Sequence, residues 1–556
     1  MDYPNLPYQI CVRYINDYEE EIGTELAKRL HGWTRARNLE SLSTCSAVVP
    51  LASQGYVLHK HLKQIEAFFK KNDVFADEAR TTEAALKAFH KAERRCRITN
   101  RRLDHYYLHP DRIDPELSVL VQKMRRYISF VLGDHRSFLD RLPSLIRITA
   151  GATTSASRKD SVPFKKVKLR SLECPSRSAP YVKTLAKYLG YVVKVHCNNG
   201  NRLEVVTKNW KTRRTIACET EGAMPFQLAF DTWTKERFRK VTRINLASQV
   251  RNQQLAWHGS ISGLYATEDA EQASDTVAYN AVAWLFPFAW FQYLDAHRSI
   301  YGTHEKSCTT VKYAKFSSMG NGSTFCIETL IFAAACNAVG SKLECVYGDD
   351  IIIESALAES LTKLLRFFGF RLNPSKSYAS GPFRESCGDD YYYGQRVTPF
   401  YIRDVKASKP LLSHLVNGLA LVSKPGGKVW HLLKQIVLQR GLLHVPFNGD
   451  STSGVWIDVY HAYTKGLIRS HKSTQSPICL QYYSKTRSVN PEMEVDELVD
   501  ENGKTRKRLV CVDRRAMFLW HLSKSAGVVM HDENPLRKLS AELKCKLGMK
   551  VKETVS

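Results

Sequence analysis

The sequence lacks any pairing of its fourteen cysteines into CxxC, and no Cys/His cluster has zinc spacing. Cys326, Cys336 and Cys345 sit inside apolar runs, which fits buried free thiols in a reducing cytoplasm. Nor is there an uninterrupted hydrophobic span. The longest apolar stretch, 277–294, contains Asn280, Pro287 and Gln292 and is bounded by Asp275 and Asp295, so it reads as a buried helix rather than a membrane crossing. The N-terminal MDYPNLPYQI has neither the basic start nor the apolar core of a signal peptide, and the expectation is a soluble intracellular protein without a membrane partner. No internal repeat is visible. Acid is scarce as well: 55 Asp and Glu face 81 Lys and Arg, a net charge of +26. A field of that sign attracts phosphate backbones and makes binding salt-dependent.

What is present is organised. The 556 residues leave room for about three to four domains of roughly 150 residues. Residues 1–160 read as mostly helical and charged, and include the basic run KAERRCRITNRR, either a solvated helix face or a contact for RNA phosphate. Residues 149–161 are small, polar and loop-like. From 161 to 260 basic residues interleave with strand-like runs, from 261 to 405 strands and helices alternate, and from 406 to 556 the chain is mixed and helical. Near the end, Asn502-Gly503 signals a hairpin that would set Glu501 opposite Lys504 and Glu497 opposite Arg508.

Five features carry chemistry. In LECVYGDDIIIE, residues 343–354, two β-prone arms flank Gly348-Asp349-Asp350, a hairpin with two acids at its tip. Like charges about 4 Å apart repel by roughly 4 kcal/mol at an effective dielectric of 20. A divalent cation offsets that repulsion. A second GDD, Gly388-Asp389-Asp390, lacks the apolar arms and reads as a decoy. Upstream, YATEDAEQASD ends a strand on Asp269 and places Asp275 six residues later; an acid facing the hairpin tip would complete a two-metal site for in-line displacement. In SSMGNGSTFCIE a Gly-Asn-Gly loop opens a helix that Ser323 or Thr324 can cap, with Glu328 suited to its first turns. Gly320 and Gly322 let backbone approach a ligand closely, and Asn321 can bond a ribose. A helix with Leu357, Leu361, Leu364, Leu365 and Phe368 on one face and Gly369 at its C-terminal cap precedes Lys376, a surface lysine or a general acid for leaving pyrophosphate. Last, in VVTKNWKTRRTIACETE, Lys208, Lys211, Arg213 and Arg214 form either a ribbon that neutralises a triphosphate or a basic edge strand.

The order of these features resembles motifs F, A, B, C, D and E of viral RNA-directed RNA polymerases. SMGNGSTF, VYGDDIII, GPFRESCG and VTPFYIR look like the replicase β-subunit of the levivirus group of positive-strand RNA bacteriophages, which includes Q-beta. The resemblance covers about 200 residues, 207–403, and is most specific from 318 to 403. It implies an α+β right-hand polymerase of fingers, palm and thumb, with an antiparallel palm sheet backed by helices. It places a fingers-associated region at 1–160, fingers at 161–260, palm at 261–405 and thumb at 406–556. Carried over by position, Asp269, Asp349 and Asp350 would hold two magnesium ions, with manganese a substitute. Asp275 and Asn321 would read the ribose 2′-hydroxyl, and Lys376 would donate the proton. Lys208, Lys211 and Arg214 would hold the triphosphate, with Gly320, Gly322 and Gly348 shaping the motif loops. The implied partners are an RNA template and product, ribonucleoside triphosphates, host elongation factors EF-Tu and EF-Ts, and a host small-subunit ribosomal protein. The implied place of work is the cytoplasm of an infected bacterium. One departure stands out: Glu268 replaces the apolar residue usual before the first motif A acid, and strand alternation turns it into the packed side of the sheet, where its charge needs a partner. A reverse transcriptase also carries two hairpin acids, but is expected to place an aromatic or small gate where Asp275 stands. A non-catalytic basic RNA-binding protein explains the charge but not the ordered constellation.

Overall fold

The computed structural model describes residues 3–50, 55–156, 172–188, 190, 192–403, 408–447, 449–470, 477–487, 494–499, 505–510 and 543–555. At its centre lies a three-stranded antiparallel sheet. Strand Asp350–Glu354 is the middle one, flanked by Tyr265–Asp269 and Cys345–Tyr347. The Ile351–Ile353 run is buried throughout, as a strand covered on both faces requires. Helix Thr324–Ala338 backs this sheet. Ile327, Leu330, Ile331, Ala334, Ala335 and Ala338 are buried, and so are most of its other residues, thirteen of fifteen in all. Ser323 and Thr324 do not cap it: Asn321 Oδ1 accepts from the Ser323 amide, while the Thr324 hydroxyl turns to Ser317 and Ser318. Helix Ala358–Phe367 closes as the sequence implies, with Gly369 at φ +89° and Leu361, Leu364, Leu365 and Phe368 buried.

Segment 277–294 is not one helix. Pro287 has no amide hydrogen to donate and forces Phe286 out of helical backbone, so the segment splits into Tyr279–Leu285 and Phe288–Ala296. Both helices share the central core with the palm. The basic ribbon is a hairpin, Gly200–Thr207 with Arg213–Cys218, inside a four-stranded sheet completed by Tyr301–His304 and Thr309–Lys312. A third sheet carries GPFRESCG: Phe383–Ser386 pairs with Asp389–Tyr392, which pairs with Gln395–Arg396. Helix Val250–Ser262 ties it to the palm, with Asn252 reaching the Asp350 carbonyl and Trp257 the Gly394 carbonyl.

Two long-range contacts organise the rest. The 31-residue helix Glu78–Leu108 lies across the palm: Arg95 pairs with Glu271, and Arg102 bonds the carbonyls of Arg366 and Phe367. Separately, the first helices (Leu6–Asp17, Thr24–Arg35, Tyr56–Lys70) build one core with Lys409–Val422 and Lys428–Arg440. The late hairpin pairs Glu494–Val499 with Thr505–Val510, acid against base as expected. Its register differs by one: Glu497 faces Lys507 and Asp496 faces Arg508. Asn502-Gly503 itself lies outside the described residues. No helix among the described residues is long and apolar enough to cross a membrane.

Candidate active site

Sheet register brings the acids together. Asp269 ends its strand directly opposite Asp350, and Tyr347 faces Asp350 from the other side, leaving Gly348-Asp349 as the two-residue turn. Asp349 is exposed at that tip, while Asp269 and Asp350 are half-buried. Burial, with Asp349 and Asp269 adding repulsion, pushes the Asp350 carboxyl up to about 6 against the pull of the Cys387 amide, which donates at 3.1 Å. Burial likewise raises Asp269, against Lys376, whose ammonium sits 3.1 Å from Asp269 Oδ2. Burial opposes the Lys376 charge, but Asp269, Glu385 and Asp350 outweigh it and hold that pKa above the ordinary lysine value.

Among the described residues no group of three or more His, Cys, Asp or Glu side chains is assembled to hold a metal ion. Asp269 is turned to Lys376, Asp350 to Cys387, and Asp349 to solvent. The donor chemistry nonetheless fits a divalent cation. Three carboxylates, hard oxygen donors, lie near one strand end, and their mutual repulsion is of the kind a cation would relieve.

The basic hairpin brings positive charge within electrostatic reach of this site. Partial burial, Arg214 and Lys376 lower the Lys208 pKa, while Asp269 and Asp349 act to raise it, so Lys208 stands within electrostatic reach of the acids. Arg214 is exposed beside it. Lys211 points elsewhere and pairs with Glu40 at 3.0 Å; Arg213 pairs with Glu78.

The two ribose candidates are engaged separately. Asp275 Oδ1 accepts from Lys315 at 2.7 Å. Asn321 is turned inward, its Oδ1 taking both Ser323 donors and its side chain bonded to Glu219. Gly320 admits protein rather than ligand: at φ +107°, a Cβ there would lie 2.2 Å from the Ala217 carbonyl oxygen of the basic hairpin. Gly322 rests on Gln227 and Leu228.

Gly348 is required by the turn. Its φ is +61° and a Cβ would lie 2.8 Å from Phe325 Cε2. Gly348→Ala is expected to cost about 1–3 kcal/mol of stability through local strain and to displace Asp349. Thermal melting beside nucleotide incorporation checks it, and a variant indistinguishable from wild type in both would refute the constraint.

Three groups beside the acids carry no site role in the sequence reading. Glu328 is a buried carboxyl under the turn, bonded to the Ser274 hydroxyl at 2.8 Å, and burial together with Asp349 pushes it up to about 8. Asn373 donates its backbone amide to the Asp269 carbonyl at 2.8 Å. Glu385 adds negative charge to both Asp269 and Lys376. An acid among Ile327, Leu330 and Ile331 was the one available signal, and it read equally well as a helix-dipole acid. The Glu268 side chain is buried as alternation requires, bonds Ser377, and faces the charge of the fully buried Arg384. The second GDD opens an ordinary strand, its Asp389 bound to Arg396 and Thr398.

An antiparallel sheet with paired acids at a hairpin tip, within electrostatic reach of a basic hairpin, is the arrangement of a right-hand polymerase palm. The chain belongs to the RNA replicase beta-chain family, whose model matches residues 16–427. It is 34% identical over 501 residues to the RNA-directed RNA polymerase subunit beta of Enterobacteria phage SP, covering 88% of this chain and 84% of that protein. It is 38% identical over 342 residues to the protein of the same name from Qbeta virus (strain MX1), covering 60% of this chain and 57% of that one. The solved BmCPV RNA-dependent RNA polymerase, in its elongation state, superposes at a TM-score of 0.39 with 12% identity, over 58% of this chain and 33% of that chain.

Proposed function

We propose that the chain synthesises RNA on a phage RNA template from ribonucleoside triphosphates, with Asp269, Asp349 and Asp350 as its metal-binding carboxylates. Family membership makes it an RNA-directed RNA polymerase. The observation that carries the site is the register of Asp269 against Asp350 beside the Gly348-Asp349 turn. Two magnesium ions, with manganese able to substitute, would supply charge neutralisation at the attacking and leaving oxygens. The protein's own groups do the rest. Lys208 and Arg214 receive the triphosphate, and Lys211 joins them on exchanging Glu40 for phosphate. Lys376, protonated and already in the site, donates a proton to leaving pyrophosphate once it is released from Asp269. Asp275 and Asn321 read the 2′-hydroxyl, which requires Asn321 to give up its inward bonds.

The protein acts in the cytoplasm of an infected bacterium with EF-Tu, EF-Ts and a small-subunit ribosomal protein; the name "subunit beta" borne by the relatives supports an assembly. The test is incorporation on an RNA template with these factors present. Ribonucleotides are expected to be incorporated, deoxyribonucleotides poorly, and EDTA to stop synthesis until magnesium is restored. Synthesis that survives EDTA would remove the metal, and silence under all conditions would remove the activity.

A further inference from the structure

The carboxylate that reads the ribose is itself held. Lys315 is fully buried, and its ammonium donates to Asp275 Oδ1 at 2.7 Å. On its other side stands Glu93, with Oε1 at 3.7 Å. The Glu93 Oε2 accepts from the Ala314 amide at 2.6 Å, while its Oε1 has no hydrogen bond among the described residues. The Phe89 ring lies 4.2 Å and the Tyr313 ring 5.2 Å from the ammonium, so water is replaced by aromatic faces. One cation is thus shared unequally between two carboxylates, and Asp275 holds the nearer place.

A buried lysine is costly unless its charge is paired, and here pairing also sets direction. Asp275 is pinned by its amide on the Gln272 carbonyl, by Cys96 on its own carbonyl, and by Lys315 on Oδ1. Its side chain keeps 15% exposure, and Oδ2 is the oxygen that the Lys315 hydrogen bond does not take. Lys315 is also placed to couple two motifs. Its backbone bridges Ala278, the next amide bonds the Val277 carbonyl, and the chain then runs directly into the Gly-Asn-Gly loop.

We propose that Lys315 is the positioning residue of sugar selection: it fixes the Asp275 carboxylate with one oxygen turned to the nucleotide, and Glu93 competes for its charge. This rests on the reading of Asp275 as a ribose contact. Lys315 touches no substrate and acts only through Asp275.

The experiment compares kcat/KM for a ribonucleotide and its deoxy counterpart in the full chain with its host factors. Lys315→Met is expected to lower ribonucleotide efficiency about 10- to 100-fold, the range for a lost hydrogen bond to a charge, and to leave the deoxynucleotide nearly unchanged. Glu93→Gln removes the competitor and is expected to keep full discrimination. Because Lys315→Met strands the buried Glu93, Lys315→Met with Glu93→Gln is measured beside it, and the same loss of discrimination is expected. Equal losses for both sugars would reduce Lys315 to a structural ion pair and overturn the proposal. So would intact discrimination in the Lys315 variants while Asp275→Ala loses it. If Asp275→Ala itself discriminates like wild type, the ribose reading fails, and the positioning role fails with it.

Discussion

Asp349→Ala is expected to lower nucleotide incorporation by ~10³-fold or more, while Asp389→Ala leaves it within about threefold. The chain offers two identical GDD tripeptides, and geometry separates them. Asp349 forms the turn between two strands, exposed beside Asp269 and Asp350, and among the described residues it holds no ion pair. On the proposed reading, removing it takes away a carboxylate that would hold the cations offsetting charge at the attacking and leaving oxygens, a matter of several kcal/mol. Asp389 instead opens a strand and is bound to Arg396 at 2.6 Å and Thr398 at 3.2 Å. Arg396 is largely exposed, so the pair contributes little to stability. Incorporation on one RNA template with wild type and both variants checks the pair. Synthesis by the Asp349 variant at the wild-type rate would move the catalytic centre elsewhere.

The largest loss of stability is expected at Arg384, not at any acid. Its guanidinium is fully buried and donates to the carbonyls of Tyr265 at 2.6 Å, Phe383 at 2.7 Å and Gly381 at 2.8 Å. It also supplies the positive charge facing Glu268, a carboxyl that burial already raises. Arg384→Ala orphans those carbonyls and removes a positive charge that favours the Glu268 carboxylate, with an expected cost of about 3–5 kcal/mol. Adding Glu268→Gln removes that carboxylate and is expected to recover part of that cost. Denaturant titration of the three variants measures it. An Arg384→Ala variant within 1 kcal/mol of wild type would contradict the role of its hydrogen bonds, and a Glu268→Gln addition that destabilises further would contradict its electrostatic support of Glu268.

Local chemistry explains what could be read from the chain. The YGDD hairpin, the strand that ends on Asp269, the basic ribbon and the Gly369 cap each depend on a few adjacent residues, so pattern and turn preference suffice. Glu268 could be turned inward from alternation alone, yet Arg384, more than a hundred residues away, had to be seen. Lys315 and Glu93 were invisible for the same reason: a buried ion pair leaves no periodic trace. Lys211 shared the composition of Lys208, but the hairpin tip aims it at Glu40. The Gly-Asn-Gly loop misled differently, since a glycine that admits a ligand and one that admits the Ala217 carbonyl look alike in sequence. In 277–294 hydrophobicity outweighed one proline that the backbone obeys.

The core shared by the first helices and those after residue 402 also sets the timetable of synthesis. Leu62, Ile65, Phe68 and Phe69 leave the ribosome early, yet their partners Leu412, Leu415 and Leu419 follow only after more than 300 further residues. At about 5–20 residues per second, that apolar surface waits roughly 15–70 s uncovered. Newborn chains are therefore expected to depend on chaperones over that interval, and one stalled before residue 402 to aggregate through its N-terminal helices.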